Sequence, residues 1–177
     1  LLLVSPSGDV VFYYKTHLYH TKETSEQEFI ERGSHLMTAE TDFGTFGLSI
    51  CYDLNFPEVA RTLAMKGSKV ILLSAAWPRN AGVSWDMLIP ARAIENELYV
   101  VASGQVGGGY YGHGKVVDYQ GKVLVEFGGE EEGLKTAELD FERQKKWRSM
   151  VTFFEDRMPD VYDLRSNIEE TSRTMME

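Results

Sequence analysis

A strand–helix–strand–helix–strand series between residues 45 and 102 predicts an α/β protein whose strands lie buried inside a layered fold. Three observations carry that expectation. Residues 45–50, 70–74 and 98–102 are short, mostly apolar runs, as strands covered on both faces read. The segments between them, 57–66 and 84–97, have helical length, and the first stops at Gly67, a natural helix end. The chain has 177 residues, 43% hydrophobic and 25% charged, which suffices for one domain with a sizeable core.

The elements follow in order. Residues 1–4 and 10–14 flank Ser5-Pro6-Ser7-Gly8-Asp9 and read as a hairpin. Residues 19–35 are mostly polar, with Glu23, Glu26, Glu28 and Glu31, and read as a long loop holding a helical turn. The strand at 45–50 runs into Cys51; Asn55 then reads as a helix cap and Pro57 as a first-turn residue. Pro90 should kink the helix at 84–97 or mark its true start. Glycine-rich residues 104–114 form a loop, and 115–118 and 122–127 form a second hairpin around Tyr119-Gln120-Gly121. Glu130, Glu131 and Glu132 make a solvated acidic turn, 134–139 a short strand and 141–150 a helix. From Pro159 onward the chain is polar and reads as an extended tail that packs on another subunit.

Composition narrows the function. A net charge of −9 argues against nucleic acid or an anionic membrane as partner. One cysteine rules out an internal disulfide and points to a reducing, cytoplasmic setting. No apolar stretch approaches membrane-spanning length, and no histidine or cysteine spacing suggests a metal site. The chain starts with Leu1-Leu2-Leu3-Val4, already inside a strand pattern, which sets the expectation of a fragment.

Chemistry concentrates at Cys51. A side chain on a strand-to-helix turn is lifted from the sheet and held in a fixed direction, as nucleophiles are. A lone cysteine there is a candidate nucleophile, against the plain alternative of a small buried hydrophobe.

Five stretches then resemble the nitrilase superfamily, the carbon-nitrogen hydrolases: Tyr14-Lys15-Thr16-His17-Leu18, Cys51-Tyr52-Asp53-Leu54-Asn55-Phe56-Pro57-Glu58, Ser74-Ala75-Ala76-Trp77-Pro78, Ala91-Arg92-Ala93-Ile94-Glu95-Asn96, and Gly112-His113-Gly114-Lys115-Val116-Val117-Asp118 with Gly121. The resemblance implies an α-β-β-α sandwich, incomplete at the N-terminus, with 1–164 the C-terminal portion of a single domain and 165–177 a polar tail. It implies a cofactor-free glutamate–lysine–cysteine hydrolase in which Cys51 is the nucleophile and Lys15 stabilises the oxyanion. A general-base glutamate would lie before Leu1. A second site carboxylate, placed by aligning Gly33 with a family glycine, falls on Glu26, with Glu23 and Glu28 as alternatives. Asn55 and Gly114 stand where several members carry arginine and serine.

Around this core, the backbone N–H of Tyr52 is the second expected oxyanion donor and Trp77 lines the pocket. Arg92 and Glu95 are three apart on one helix face and read as a structural pair. His17 and His113 are not expected to serve as base. The leading expectation is hydrolysis of a small amide, and the resemblance implies a homodimer, or higher homo-oligomer, that pairs through the helices that follow Cys51 and the Arg92-Ala93-Ile94-Glu95-Asn96 segment. A nitrile substrate, an inactive binding or assembly subunit, and a redox-sensing thiol are the alternatives.

Overall fold

The computed structural model describes residues 1–22 and 24–162. Six strands form one mixed sheet in the order β3-β4-β5-β6-β7-β8, and a two-stranded β1–β2 hairpin forms a second, separate sheet. In that hairpin β1 (Leu2–Val4) runs antiparallel to β2 (Val10–Phe12), with Leu2 opposite Phe12.

The centre of the large sheet is parallel: β4 (Gly44–Ile50), β5 (Val70–Ala75) and β6 (Tyr99–Gly104) pair side by side, with Leu48, Leu72 and Val101 in register. This is the predicted buried triplet. The rims are antiparallel. β3 (Thr38–Thr41) pairs with β4, while β7 (Lys115–Val117) pairs with β6 and β8 (Val123–Glu126).

Helices α1 (Pro57–Met65) and α2 (Gly82–Asn96) supply the crossovers. Leu63, Trp85 and Ile89 pack with Ile71, Leu73, Val100 and Val117 of the sheet, and all seven are buried. Burying a large side chain contributes about 1.5–3 kcal/mol, so this layer anchors the fold. A smaller cluster joins Val70, Tyr99 and Tyr119 to Phe141 and Trp147 of α3 (Phe141–Arg148).

The structure departs from several expectations. β3 was not legible because Thr38-Ala39-Glu40-Thr41 is too polar and short to signal a strand; pairing with β4 makes it one. The expected strand at 134–139 joins no ladder, although its exposure alternates. Among the described residues the sheet stops at β8. Asn55 is not the cap of α1. It ends a 3₁₀ turn, Cys51–Asn55, and donates to the Tyr52 carbonyl at 3.3 Å, leaving Phe56 to cap without a side-chain bond. Pro90 neither starts nor ends α2 but sits inside it. The helix begins at Gly82, where a Cβ would lie 2.3 Å from the Tyr111 ring. The tail shows a 3₁₀ turn at Pro159–Val161, and residues 165–177 lie outside the described residues. No helix among the described residues is long and apolar enough to cross a membrane.

Candidate active site

The three parallel strands end side by side, and a cavity of about 820 Å³ opens over their carboxyl ends. Open α/β sheets bind ligands at this edge because side chains after each strand are splayed from a rigid platform. Cys51 and Tyr52 follow β4, Trp77 and Pro78 follow β5, and Gln105 follows β6; all line the cavity. Lys15, Tyr19 and Glu26 line it from the segment after the hairpin.

Cys51 holds φ at +48°, left-handed backbone that a residue with a Cβ adopts at a cost of about 1–3 kcal/mol. The strain breaks the strand abruptly and starts the 3₁₀ turn, so the thiol leaves the sheet toward the cavity. Its sulfur lies 3.8 Å from the Ala76 carbonyl. Burial pushes the thiol up from its ordinary value. The Lys15 charge and hydrogen bonding at Ala76 and Tyr52 pull the other way, and Glu26 adds to the rise. Desolvation outweighs the lysine, so the thiol lies above its ordinary value where a nearby lysine alone would lower it.

Lys15 is buried, which a lysine tolerates only when paired. Its Nζ donates to both oxygens of Glu26, at 2.8 and 2.6 Å. The backbone N–H of Tyr19 donates to the same carboxylate at 2.7 Å. The loop that carries Glu26 returns against Lys15 through Gly33, whose N–H donates to the Lys15 carbonyl at 2.8 Å. A Cβ on Gly33 would sit 2.2 Å from the Tyr14 carbonyl oxygen, so only glycine allows this return. Among the described residues lining the cavity, Lys15 and Glu26 are the charged ones. Glu28 points to solvent, and Glu23 lies outside the described residues.

The sequence-predicted residues Cys51, Lys15, Glu26, Tyr52 and Trp77 thus share one cavity. Trp77 also belongs to the core: its ring is buried against Trp85, and its indole N–H donates to the Ala81 carbonyl at 2.8 Å. Tyr52 packs edge-on against Tyr19 and Phe56. Neither His17 nor His113 lines the cavity. Arg92 bonds Glu95 at 3.1 Å and the Leu54 carbonyl at 3.1 Å, a structural pair that ties α2 to the Cys51 turn.

Sequence reasoning passed over Asp53. It is fully buried beneath the turn and accepts hydrogen bonds from both the turn and residues 13–17. No local signal marked it, because four of its five partners lie 36 to 40 residues upstream.

A carbon-nitrogen hydrolase family model matches residues 1–149. The chain belongs to the carbon-nitrogen hydrolase family. Among curated carbon-nitrogen hydrolase relatives, it is 37% identical over 155 residues to a probable nitrilase of Schizosaccharomyces pombe, covering 85% of this chain and 56% of that protein. It is 36% identical over 167 residues to the 2-oxoglutaramate amidase of Bacillus subtilis, covering 92% and 63%. The crystal structure of the Caenorhabditis elegans NitFhit protein superposes with a TM-score of 0.84 at 32% identity, covering 94% of this chain and 43% of that one. The α/β sandwich class expected from the sequence is that of these structures. The chain spans 56–63% of the length of these two curated relatives.

Proposed function

We propose that this carbon-nitrogen hydrolase cleaves a small, non-peptide amide through a thioester on Cys51, without a cofactor. One observation carries the reading: a strained cysteine, a buried lysine and a carboxylate converge on one cavity at the carboxyl edge of the parallel strands. The amidase name of the Bacillus subtilis relative supports an amide over other carbon-nitrogen bonds.

The steps follow from the chemistry of these groups. A general base takes the thiol proton, and the sulfur attacks the amide carbonyl carbon. The resemblance gives that base to a family glutamate without a counterpart among residues 1–177, and the carboxylate of Glu26 is paired with Lys15. The tetrahedral oxyanion forms where the Lys15 ammonium and the Tyr52 N–H can meet it. The carbon–nitrogen bond breaks, the nitrogen leaves as ammonia or an amine carrying the transferred proton, and a thioester remains. Water, deprotonated by the same base, attacks the thioester carbon and releases the carboxylic acid and the thiol. Asn55, Asn80, Ser84 and Gln105 add uncharged polar groups to a lining that includes Ile50, Ala75, Ala76 and Pro78, a mixture suited to a small amide.

Replacing Cys51 by alanine in the full-length enzyme tests this directly. Loss of acid and ammonia release, with folding retained, is the expected result, and undiminished turnover would overturn the thioester route. The name of the Schizosaccharomyces pombe relative favours a second reading, a nitrile substrate. Product analysis with a matched amide and nitrile separates the two, since consumption of the nitrile alone would replace the amidase reading.

We also read the protein as a homodimer, because Val83, Met87 and Ile94 leave an exposed apolar stripe along α2, and as cytoplasmic, because it has a single, unpaired cysteine. Sedimentation at micromolar concentration should show a dimer, and a monomer would refute it.

A further inference from the structure

We infer that Asp53 is a positioning residue: its buried carboxylate ties the Lys15 segment to the Cys51 turn and sets the placement of ammonium against thiol. The inference rests on the hydrolase reading and adds a residue that acts through two others.

The argument starts from what holds Lys15 in place. β2 ends at Phe12; Tyr13 still exchanges backbone bonds with Leu1, and the Lys15 carbonyl accepts from Gly33, but residues 14–17 belong to no strand. Asp53 anchors this segment, chiefly through its side chains. It accepts from the Tyr13 hydroxyl at 2.7 Å, the Thr16 hydroxyl at 3.2 Å, and the His17 backbone N–H and Nδ1 at 3.1 and 2.9 Å. These contacts bracket Lys15 on both sides in sequence. The fifth bond, from the Ile50 N–H at 2.9 Å, joins the same carboxylate to the strand end that aims Cys51. An ionised carboxylate offers about four lone-pair sites, so this one is saturated.

A residue that merely closed its own turn would need only the Ile50 bond. Four of the five bonds instead cross 36 to 40 residues of sequence, and all four land within two residues of Lys15. Phe56 stacks on His17 at 3.9 Å between ring centres, fixing the ring that donates through Nδ1. Lys15 opposes the effect of burial on the Cys51 thiol, so a looser Lys15 raises that thiol further. Misplacing a reacting group by about 1 Å costs on the order of 100-fold in rate.

The test is Asp53→Asn in the full-length enzyme. Three readouts are compared with wild type: kcat and KM on a small amide, the pH dependence of Cys51 alkylation by iodoacetamide, and thermal stability. Asparagine keeps the volume but turns an NH₂ toward donors. The expected result is a kcat lower by roughly 10- to 100-fold, KM within about threefold, and an alkylation midpoint moved to higher pH. Thr16→Val and Tyr13→Phe each delete one of the five bonds to Asp53, together with the Tyr13–Thr16 hydroxyl contact, and should move the midpoint the same way by less. They carry the test if Asp53→Asn does not fold. A lower Tm with an unmoved alkylation profile and unchanged kcat would reduce Asp53 to a fold-stabilising role and overturn the inference. Alkylation needs no turnover, so it reads the Lys15–Cys51 placement even if Cys51→Ala were to refute the hydrolase reading.

Discussion

Two lysines of this molecule, Lys15 and Lys115, are almost equally buried and both ion-paired, yet Lys15 alone of the two shares a cavity with Cys51. Lys15 is 6% exposed and Lys115 is 5% exposed. Lys15 donates to Glu26 at 2.6 Å, and Lys115 reaches Asp86 and Glu126 at 2.7 Å each. Their surroundings differ. Lys15 shares one carboxylate and looks into a cavity that also holds Cys51. Lys115 sits between two carboxylates, one of which accepts from the Tyr111 hydroxyl while the other lies 3.4 Å from His113 Nδ1. It links α2 to strands β7 and β8. Burial and pairing are therefore common to both lysines, and what singles out Lys15 is the thiol that lines the same cavity.

The comparison breaks most sharply at Lys15. Lys15→Met should lower kcat by about 100- to 1,000-fold, the usual cost of losing an oxyanion donor. It should also raise the midpoint of Cys51 alkylation, because the cation opposes desolvation of the thiolate. Retained kcat would remove Lys15 from the chemistry. Glu26→Gln should cost less, about 10-fold, since it weakens one charge-assisted pair worth about 1.5–3 kcal/mol. Its effect on the thiol runs the other way: Glu26 raises the Cys51 pKa, so the alkylation midpoint should fall while turnover also falls. A rise in the midpoint would mean that Glu26 acts chiefly by holding Lys15 in place.

The two regions also differ in how much the sequence disclosed. The buried triplet β4, β5 and β6 was legible because its apolar runs cannot sit on a surface. Cys51 was legible as a lone thiol at a strand end, and Lys15 through its resemblance to the family motif. Aligning Gly33 pointed to Glu26, but Glu28 was set aside only in three dimensions, because a glutamate-rich loop has no periodicity to say which side chain turns inward. Asp53 was hidden for a similar reason: its partners lie 36 to 40 residues upstream, and hydrogen bonds between distant segments leave no local pattern. β3 escaped because its pairing with β4, rather than its own composition, makes it a strand. The ion network at Lys115 was equally invisible, spread over α2, β7 and β8.

That network supplies the smallest expected effect and the cleanest contrast. Lys115→Met should leave kcat within about twofold and cost roughly 1–3 kcal/mol of stability, as a buried charge-assisted contact is lost. Its signature is in acid. Burial opposes ionisation of Asp86, but hydrogen bonds from Lys115 and Tyr111 outweigh it and hold the carboxyl below its ordinary value. A depressed folded pKa gives stability that is present above the unfolded pKa of about 3.9 and is lost as pH falls through the folded value. Without Lys115 the folded pKa moves back toward the unfolded one, so the variant should lose less stability than wild type on acidification below about pH 4. Chemical denaturation at pH 7 and at pH 3 measures both values. A constant difference between variant and wild type would show that Lys115 contributes by packing alone, whereas a shrinking one assigns it to the charge network with Asp86 and Glu126, a structural use of a buried lysine that contrasts with the role proposed for Lys15 beside Cys51.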